Sequence, residues 1–149
     1  MITVVKKDLL EMNVDVIAHQ VNCQGVMGAG LALQISNTYP KVYAAYKKYC
    51  PNSELLGKIQ VVDSGKHFVA NLFAQDKYGR DKRYTDYTAL GKCLTSLRVY
   101  MIAKGLKTLA LPYGIGCGLA GGDWKIVCEI IRDVFTPVED KITVYICKK

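Results

Sequence analysis

The chain has 149 residues, 50% of them hydrophobic and 22% charged, and its 20 Lys+Arg against 13 Asp+Glu leave a net charge of +7. These figures fit one globular domain spanning 1–149 and exclude a disordered chain, a fibre or a coiled coil. No apolar run reaches the roughly 18 residues of a membrane span, and the basic balance favours anionic partners such as nucleotides or nucleic acid.

Taken in order, Ile2–Val5 is short and β-branched and predicts a strand. Val14–Val21 is too apolar for an exposed edge and suits a central buried strand. Gly28–Asn37 reads as a helix opened by glycine and closed before Tyr39-Pro40, and the tyrosine-rich Lys41–Tyr49 as a second, ended by Pro51. Ile59–Asp63 and Phe68–Phe73 are strands joined by the turn Ser64-Gly65-Lys66, a hairpin signal that puts His67 at the surface. In the long helix Asp86–Lys104, Leu90, Leu94, Leu97 and Met101 share one face, and Gly105 is its C-terminal cap. Thr108–Pro112 is a buried strand. Asp123–Phe135 is a helix with Asp123 as N-cap and a stripe of Trp124, Val127, Cys128, Ile131, Val134 and Phe135. Ile142–Cys147 is the last strand.

Alternating strands and helices give an α/β fold with a largely parallel sheet covered on both faces, made mixed by its one hairpin. Ligands of such sheets bind off the carboxyl ends of the strands. The start of the chain lacks a signal-peptide core, so a cytoplasmic location is expected, with the six cysteines reduced and mostly buried. No C-x-x-C pair occurs, and the cysteine spacing does not suit a zinc site.

Two loops at that edge are rich in glycine. The first, Asn22 to Gly30, leads from a buried strand into a helix, whose first N–H groups make an anion site. The second, Tyr113 to Asp123, carries five glycines between Gly114 and Gly122 and also follows a strand and opens a helix. Each alone could be a tight turn; two together point to a bound diphosphate. Neither is a P-loop or a full G-x-G-x-x-G, which argues against an ATPase and a Rossmann dehydrogenase. The basic run Lys77-Tyr78-Gly79-Arg80-Asp81-Lys82-Arg83-Tyr84 is either a solvated loop or a lip over a phosphate site.

With Lys7-Asp8-Leu9-Leu10, Ala18-His19-Gln20-Val21-Asn22, Gly28-Ala29-Gly30-Leu31-Ala32, Leu111–Trp124 and Ile142-Thr143-Val144-Tyr145 in this order, the chain resembles the macrodomain family over nearly its whole length. The resemblance implies a three-layer α/β/α fold, a sheet of about six strands and ADP-ribose as ligand. It is nearest to the branch holding the yeast-type ADP-ribose-1″-phosphate phosphatase and the terminal ADP-ribose glycohydrolases. It implies that Asp8 accepts from the adenine amine with Leu9 beside it, and that Asn22, next to Val21, contacts the distal ribose. Gly28, Ala29, Gly30 and Leu31 would follow the diphosphate and distal ribose, and Gly114, Ile115, Gly116, Cys117, Gly118 and Leu119 would form the second phosphate loop. A carboxylate suits an exocyclic amine, and glycine amides hold a diphosphate without a metal or cofactor. The bland alternatives are a helix cap for Asp8, a turn residue for Asn22, a packed histidine for His19, and a reactive thiol for Cys117.

Two positions depart from the glycohydrolase pattern. The lysine that attacks the ribose corresponds to Gln75, and its acidic partner to Ala120; an amide forms no Schiff base. His19 matches a histidine of the phosphatase and, with Asn22, is the candidate catalytic pair. Three readings follow. The favoured one is a metal-independent hydrolase of a terminal ADP-ribose derivative, ADP-ribose-1″-phosphate first and, as a further alternative, an ADP-ribosyl ester or DNA-linked ADP-ribose cleaved without a lysine adduct. It acts as a monomer on ADP-ribose or ADP-ribosylated molecules, with nucleic acid entering only as such a substrate. The second is a reader without chemistry. The third is a nucleic-acid-binding domain using Lys77–Arg83, with purely structural glycine loops.

Overall fold

The computed structural model describes residues 1–149. Six strands form one sheet: β1 (Ile2–Val5), β2 (Val16–Val21), β3 (Ile59–Asp63), β4 (Phe68–Phe73), β5 (Thr108–Pro112) and β6 (Thr143–Cys147). Their order is β1-β6-β5-β2-β4-β3. All neighbours pair in parallel except β3, which pairs antiparallel with β4 as the hairpin signal requires. The helices are α1 (Gly30–Thr38), α2 (Pro40–Tyr49), α3 (Tyr87–Lys104) and α4 (Trp124–Phe135).

Alternation along β2 fixes the three layers. Val16 and Ala18 face one way, into a core with Leu90, Leu94 and Leu97 of α3 and Val127 and Ile131 of α4. Ile17 faces the other way, towards Ile35 of α1 and Val42 of α2. Both faces of β2 are therefore apolar, as expected of a central parallel strand. The four residues placed on one face of α3 are all fully buried. Asp86 and Asp123 cap α3 and α4 by accepting from the N–H groups of Ala89 and Lys125, and Gly105 ends α3 at φ +70°.

Three sequence expectations are corrected. The first helix begins at Gly30, because Ala29 is still extended at φ −150°, ψ 158°. His67 is buried, not at the surface: its Nε2 lies 2.9 Å from the Tyr39 hydroxyl, and Tyr39 closes over its ring edge-on. The six thiols are free, but only Cys23, Cys93 and Cys147 are buried. Cys50 ends α2, Cys117 lies in a loop and Cys128 lies on α4, and all three are half-buried.

Candidate functional site

The parallel strands β5, β2 and β4 end side by side, and a cleft of about 500 Å³ opens across their carboxyl ends. One wall is the first glycine loop with the start of α1, and the other is Gly114 to Ala120. The floor includes His19, Gln20, Val21 and Asn22 of β2 and its exit, and Gln75 stands beyond β4.

The two walls are rows of free donors. Unlike α3 and α4, α1 has no side-chain cap: Ala29 stands at its N-cap position. The N–H groups of Gly28 to Ala32 have no acceptor within the molecule. In the facing loop, the N–H groups of Ile115, Cys117, Gly121 and Gly122 are used internally, shaping the turn, whereas those of Gly116, Gly118 and Leu119 have no partner. At Gly116, with φ +75°, an added Cβ would stand 2.8 Å from Gln20 Oε1 and 3.2 Å from Thr85 Oγ1. Glycine is thus required there by backbone and by space.

Asn22 organises the first loop. Its Oδ1 accepts from the N–H of Gln24 (3.0 Å) and Val26 (3.3 Å), with the buried Tyr46 hydroxyl at 2.8 Å. Its Nδ2 donates to Val26 O at 2.8 Å, which leaves one amide hydrogen at the cleft. Asn22 is therefore a turn-former and also a cleft residue. Tyr46, from α2, was signalled in the sequence only by the tyrosine content of that helix.

His19 is 1% exposed and forms part of a buried chain of amides across three strands. Asn71 Nδ2 donates to Gln60 Oε1 at 3.0 Å, and Gln60 Nε2 donates to Ala45 O of α2 at 2.9 Å. Asn71 Oδ1 is then the acceptor for His19 Nε2–H at 2.6 Å. Nδ1 is consequently the bare nitrogen, and it is buried without a partner. Burial pushes the His19 pKa down to about 4, against the raising effect of the Asn71 bond, so the ring is neutral at pH 7.

A second network, absent from the sequence reading, ties Gln75 to the far wall. Gln20 Nε2 donates to Gln75 Oε1 (2.8 Å) and to Thr85 Oγ1 (2.9 Å), and Thr85 donates to Gly116 O at 2.6 Å. Period-two alternation could mark Gln20 only as a polar residue on a buried face. Gln75 and Ala120, at the two departing positions, both line the cleft. Asp123 is committed as the cap of α4, and Lys77 does not line the cleft.

Asp8, Leu9 and Cys117 lie outside the cleft lining. Asp8 Oδ2 pairs with Lys149 Nζ at 2.9 Å, and its Oδ1 accepts from Leu10 N–H at 3.0 Å. Lys149 first, and Leu10 next, hold its carboxyl below the usual range. It caps a short turn, the alternative open for it in the sequence. Burial above all raises the Cys147 thiol to about 11, with the Asp8 carboxylate adding to it, which sets Asp8 beside the end of β6. Leu9 is buried core. Cys117 points its thiol towards Ile115 O at 3.4 Å, and burial raises its pKa to about 11, so it is no thiolate nucleophile.

A three-layer fold with a donor-walled cleft at the carboxyl ends of its parallel strands defines a ligand-binding α/β domain. The Macro domain family model matches residues 18–131. The chain belongs to that family. It is 34% identical over 146 residues to the DNA ADP-ribosyl glycohydrolase of Mycobacterium tuberculosis, covering 94% of this chain and 40% of that protein. It is 32% identical over 121 residues to the ADP-ribose 1″-phosphate phosphatase of Lodderomyces elongisporus, covering 74% of each. The solved macrodomain of M. tuberculosis DarG superposes with a TM-score of 0.87 at 28% identity, covering 100% of this chain and 99% of that one. The chain spans about two fifths of the length of the DNA ADP-ribosyl glycohydrolases it matches.

Proposed function

We propose that this chain binds ADP-ribose in the cleft and hydrolyses a terminal derivative of it, with ADP-ribose 1″-phosphate the favoured substrate. The observation that carries this reading is the pair of facing donor rows, Gly28 to Ala32 on one side and Gly116, Gly118 and Leu119 on the other, with no carboxylate between them. Backbone N–H groups arranged in this way neutralise a diphosphate by themselves. The adenine end lies towards Tyr113 and Asp8, and the distal ribose towards Asn22 and Gln75. The relatives named above, a glycohydrolase and a phosphatase of ADP-ribose compounds, support the same ligand.

Gln75 and Ala120 supply neither the amine nor the acid of a lysine-adduct route. What remains is hydrolysis by water. The spare Asn22 amide hydrogen positions the water against phosphorus, and His19, whose bare Nδ1 is closed off from solvent, shapes the cleft floor beneath it. As the water oxygen bonds to phosphorus, the phosphorus–oxygen bond to the ribose breaks and a water proton passes to the ribose oxygen, so that ADP-ribose and inorganic phosphate leave. Phosphoryl transfer through a loose transition state asks for positioning more than for a strong base, which suits a histidine whose pKa is about 4. The reading treats the chain as a cytoplasmic monomer; no helix is long and apolar enough to cross a membrane. Nucleic acid enters only as a carrier of ADP-ribose.

The same absence of lysine and acid favours a second reading, a reader of ADP-ribose without turnover. Calorimetric titration with ADP-ribose and a phosphate-release assay separate the two. Wild type is expected to bind and to release phosphate. His19→Gln, checked for folding by its melting curve, should still bind but turn over about a hundredfold more slowly, the scale of a misplaced water. Binding without phosphate release in wild type would establish the reader.

A further inference from the structure

The basic run Lys77–Arg83 is divided by the fold. Lys82 lies over the Tyr84 ring at 5.3 Å and Arg83 over the Tyr87 ring at 4.4 Å, both away from the cleft. Tyr78, Gly79 and Arg80 line it, with Tyr78 and Arg80 at its exposed rim. Of the 22 residues that line the cleft, Arg80 is the one with a permanent charge.

The loop carrying Arg80 is held at both ends. Gln75 and Thr85 pair as an antiparallel bridge, and Ala120 O accepts from Tyr84 N–H (2.8 Å) and Thr85 N–H (3.2 Å). Gln75 Nε2 donates to Lys77 O at 2.9 Å. Tyr84 donates its hydroxyl to Asp81 Oδ1 at 2.6 Å. That bond passes so close to Gly79 that an added Cβ would stand 2.8 Å from the carboxylate oxygen and 2.9 Å from the hydroxyl. The neighbouring carboxylate is thereby taken up by tyrosine. The molecule's ion pair is Lys149 with Asp8, so the guanidinium of Arg80 has no anionic partner.

Position decides what that partner is. The loop joins Gln75 to Ala120, at the β4 end of the cleft and opposite Tyr113. A diphosphate between the glycine walls leaves this end to the terminal ribose. We infer that Arg80 is a specificity-determining residue of the cleft, one that binds the phosphate carried on the terminal ribose. This inference rests on the cleft being the ADP-ribose site. A guanidinium presents several N–H donors to phosphate oxygens, and no other side chain of the lining could balance that charge.

The test is stopped-flow displacement of a fluorescent ADP-ribose by ADP-ribose and by ADP-ribose 1″-phosphate, read before phosphate is released. Wild type, Arg80→Ala and Arg80→Lys are compared, with melting curves as the folding control. Wild type should prefer the phosphorylated ligand by roughly tenfold or more, as expected for a hydrogen bond to a charged group. Arg80→Ala should remove most of that preference, and Arg80→Lys should keep part of it. If the probe binds but the preference is absent, or survives in Arg80→Ala, the inference fails while the cleft assignment stands. If the probe does not bind wild type, the cleft assignment itself has failed. If an oligonucleotide without ADP-ribose displaces the probe from wild type and not from Arg80→Ala, the arginine serves nucleic-acid phosphates and the inference is overturned.

Discussion

Gly30→Glu should abolish ADP-ribose binding, with the dissociation constant rising roughly a hundredfold or more. Gly30 is the first residue of α1, at φ +55°, and lines the cleft. An added Cβ there meets nothing within 4 Å, so the longer side chain enters open space where the diphosphate is proposed to lie. A carboxylate against a diphosphate in a partly desolvated cleft costs several kcal/mol. The fold bears a smaller burden, about 1–2 kcal/mol for placing an L residue in the left-handed region. Gly30→Ala isolates that burden, since it adds the Cβ without the charge. The measurement is calorimetric titration of both variants beside their urea unfolding curves. Unchanged binding in a folded Gly30→Glu protein would place the diphosphate elsewhere.

Acidification should destabilise the protein by about 3 kcal/mol between pH 6.5 and pH 4. His19 has an ordinary pKa of 6.5 when unfolded and about 4 when folded. Within that window the unfolded chain binds a proton that the native state refuses, so stability is full above 6.5 and falls as pH drops. Each pH unit of the gap is worth about 1.4 kcal/mol, and the ring is wholly buried, so solvent does not screen the effect. His67 is shifted in the same direction, mainly by burial, and steepens the fall. Asp8 and Asp15 are held below their ordinary values by their hydrogen bonds, and they add losses only at lower pH. Urea midpoints at pH 7 and pH 4.5 measure the slope. His19→Gln, with no ring to protonate, should show a much smaller difference; equal slopes would remove His19 as the cause.

Much of this was legible in the sequence, for identifiable reasons. Strands announced themselves because β2, β4 and β5 are buried on both faces and hence almost unbroken apolar runs. Helices α3 and α4 showed their periodic stripes and aspartate caps. Both glycine walls stood out because few other demands collect so many glycines at strand exits. What stayed hidden depends on contacts between distant segments. Tyr46 reaches Asn22 across 24 positions, and Gln20 reaches Thr85 across 65. Gly28 and Ala29 stay outside α1, beside the cleft, so the helix starts two residues later than its glycines suggest. A residue next to a turn is ordinarily wet, but Tyr39 folds over His67 and buries it. The division of the basic run into tyrosine-stacked and cleft-lining members likewise depends on the pinning of the loop to Ala120.

The antiparallel β3–β4 pair has a consequence for how the chain assembles. It is the sheet's local pairing: Asp63 opposes Phe68 five residues on. Ile2 meets Val144 only after 142 residues have been brought round. Closing long loops costs entropy before any contact repays it, so hairpins form in microseconds while distant parallel pairings wait. The hairpin is thus the natural seed, and β2 is the first strand able to dock on it, through Val16 opposite Phe68 and Val21 opposite Phe73. Strands β5, β6 and β1 then follow outward in that spatial order. The β4 end of the cleft, with Gln75 and the Arg80 loop, is rooted in the earliest part of the sheet. The Tyr113 end is completed only when β6 pairs with β5, so the pocket becomes whole from its β4 end towards its β5 end.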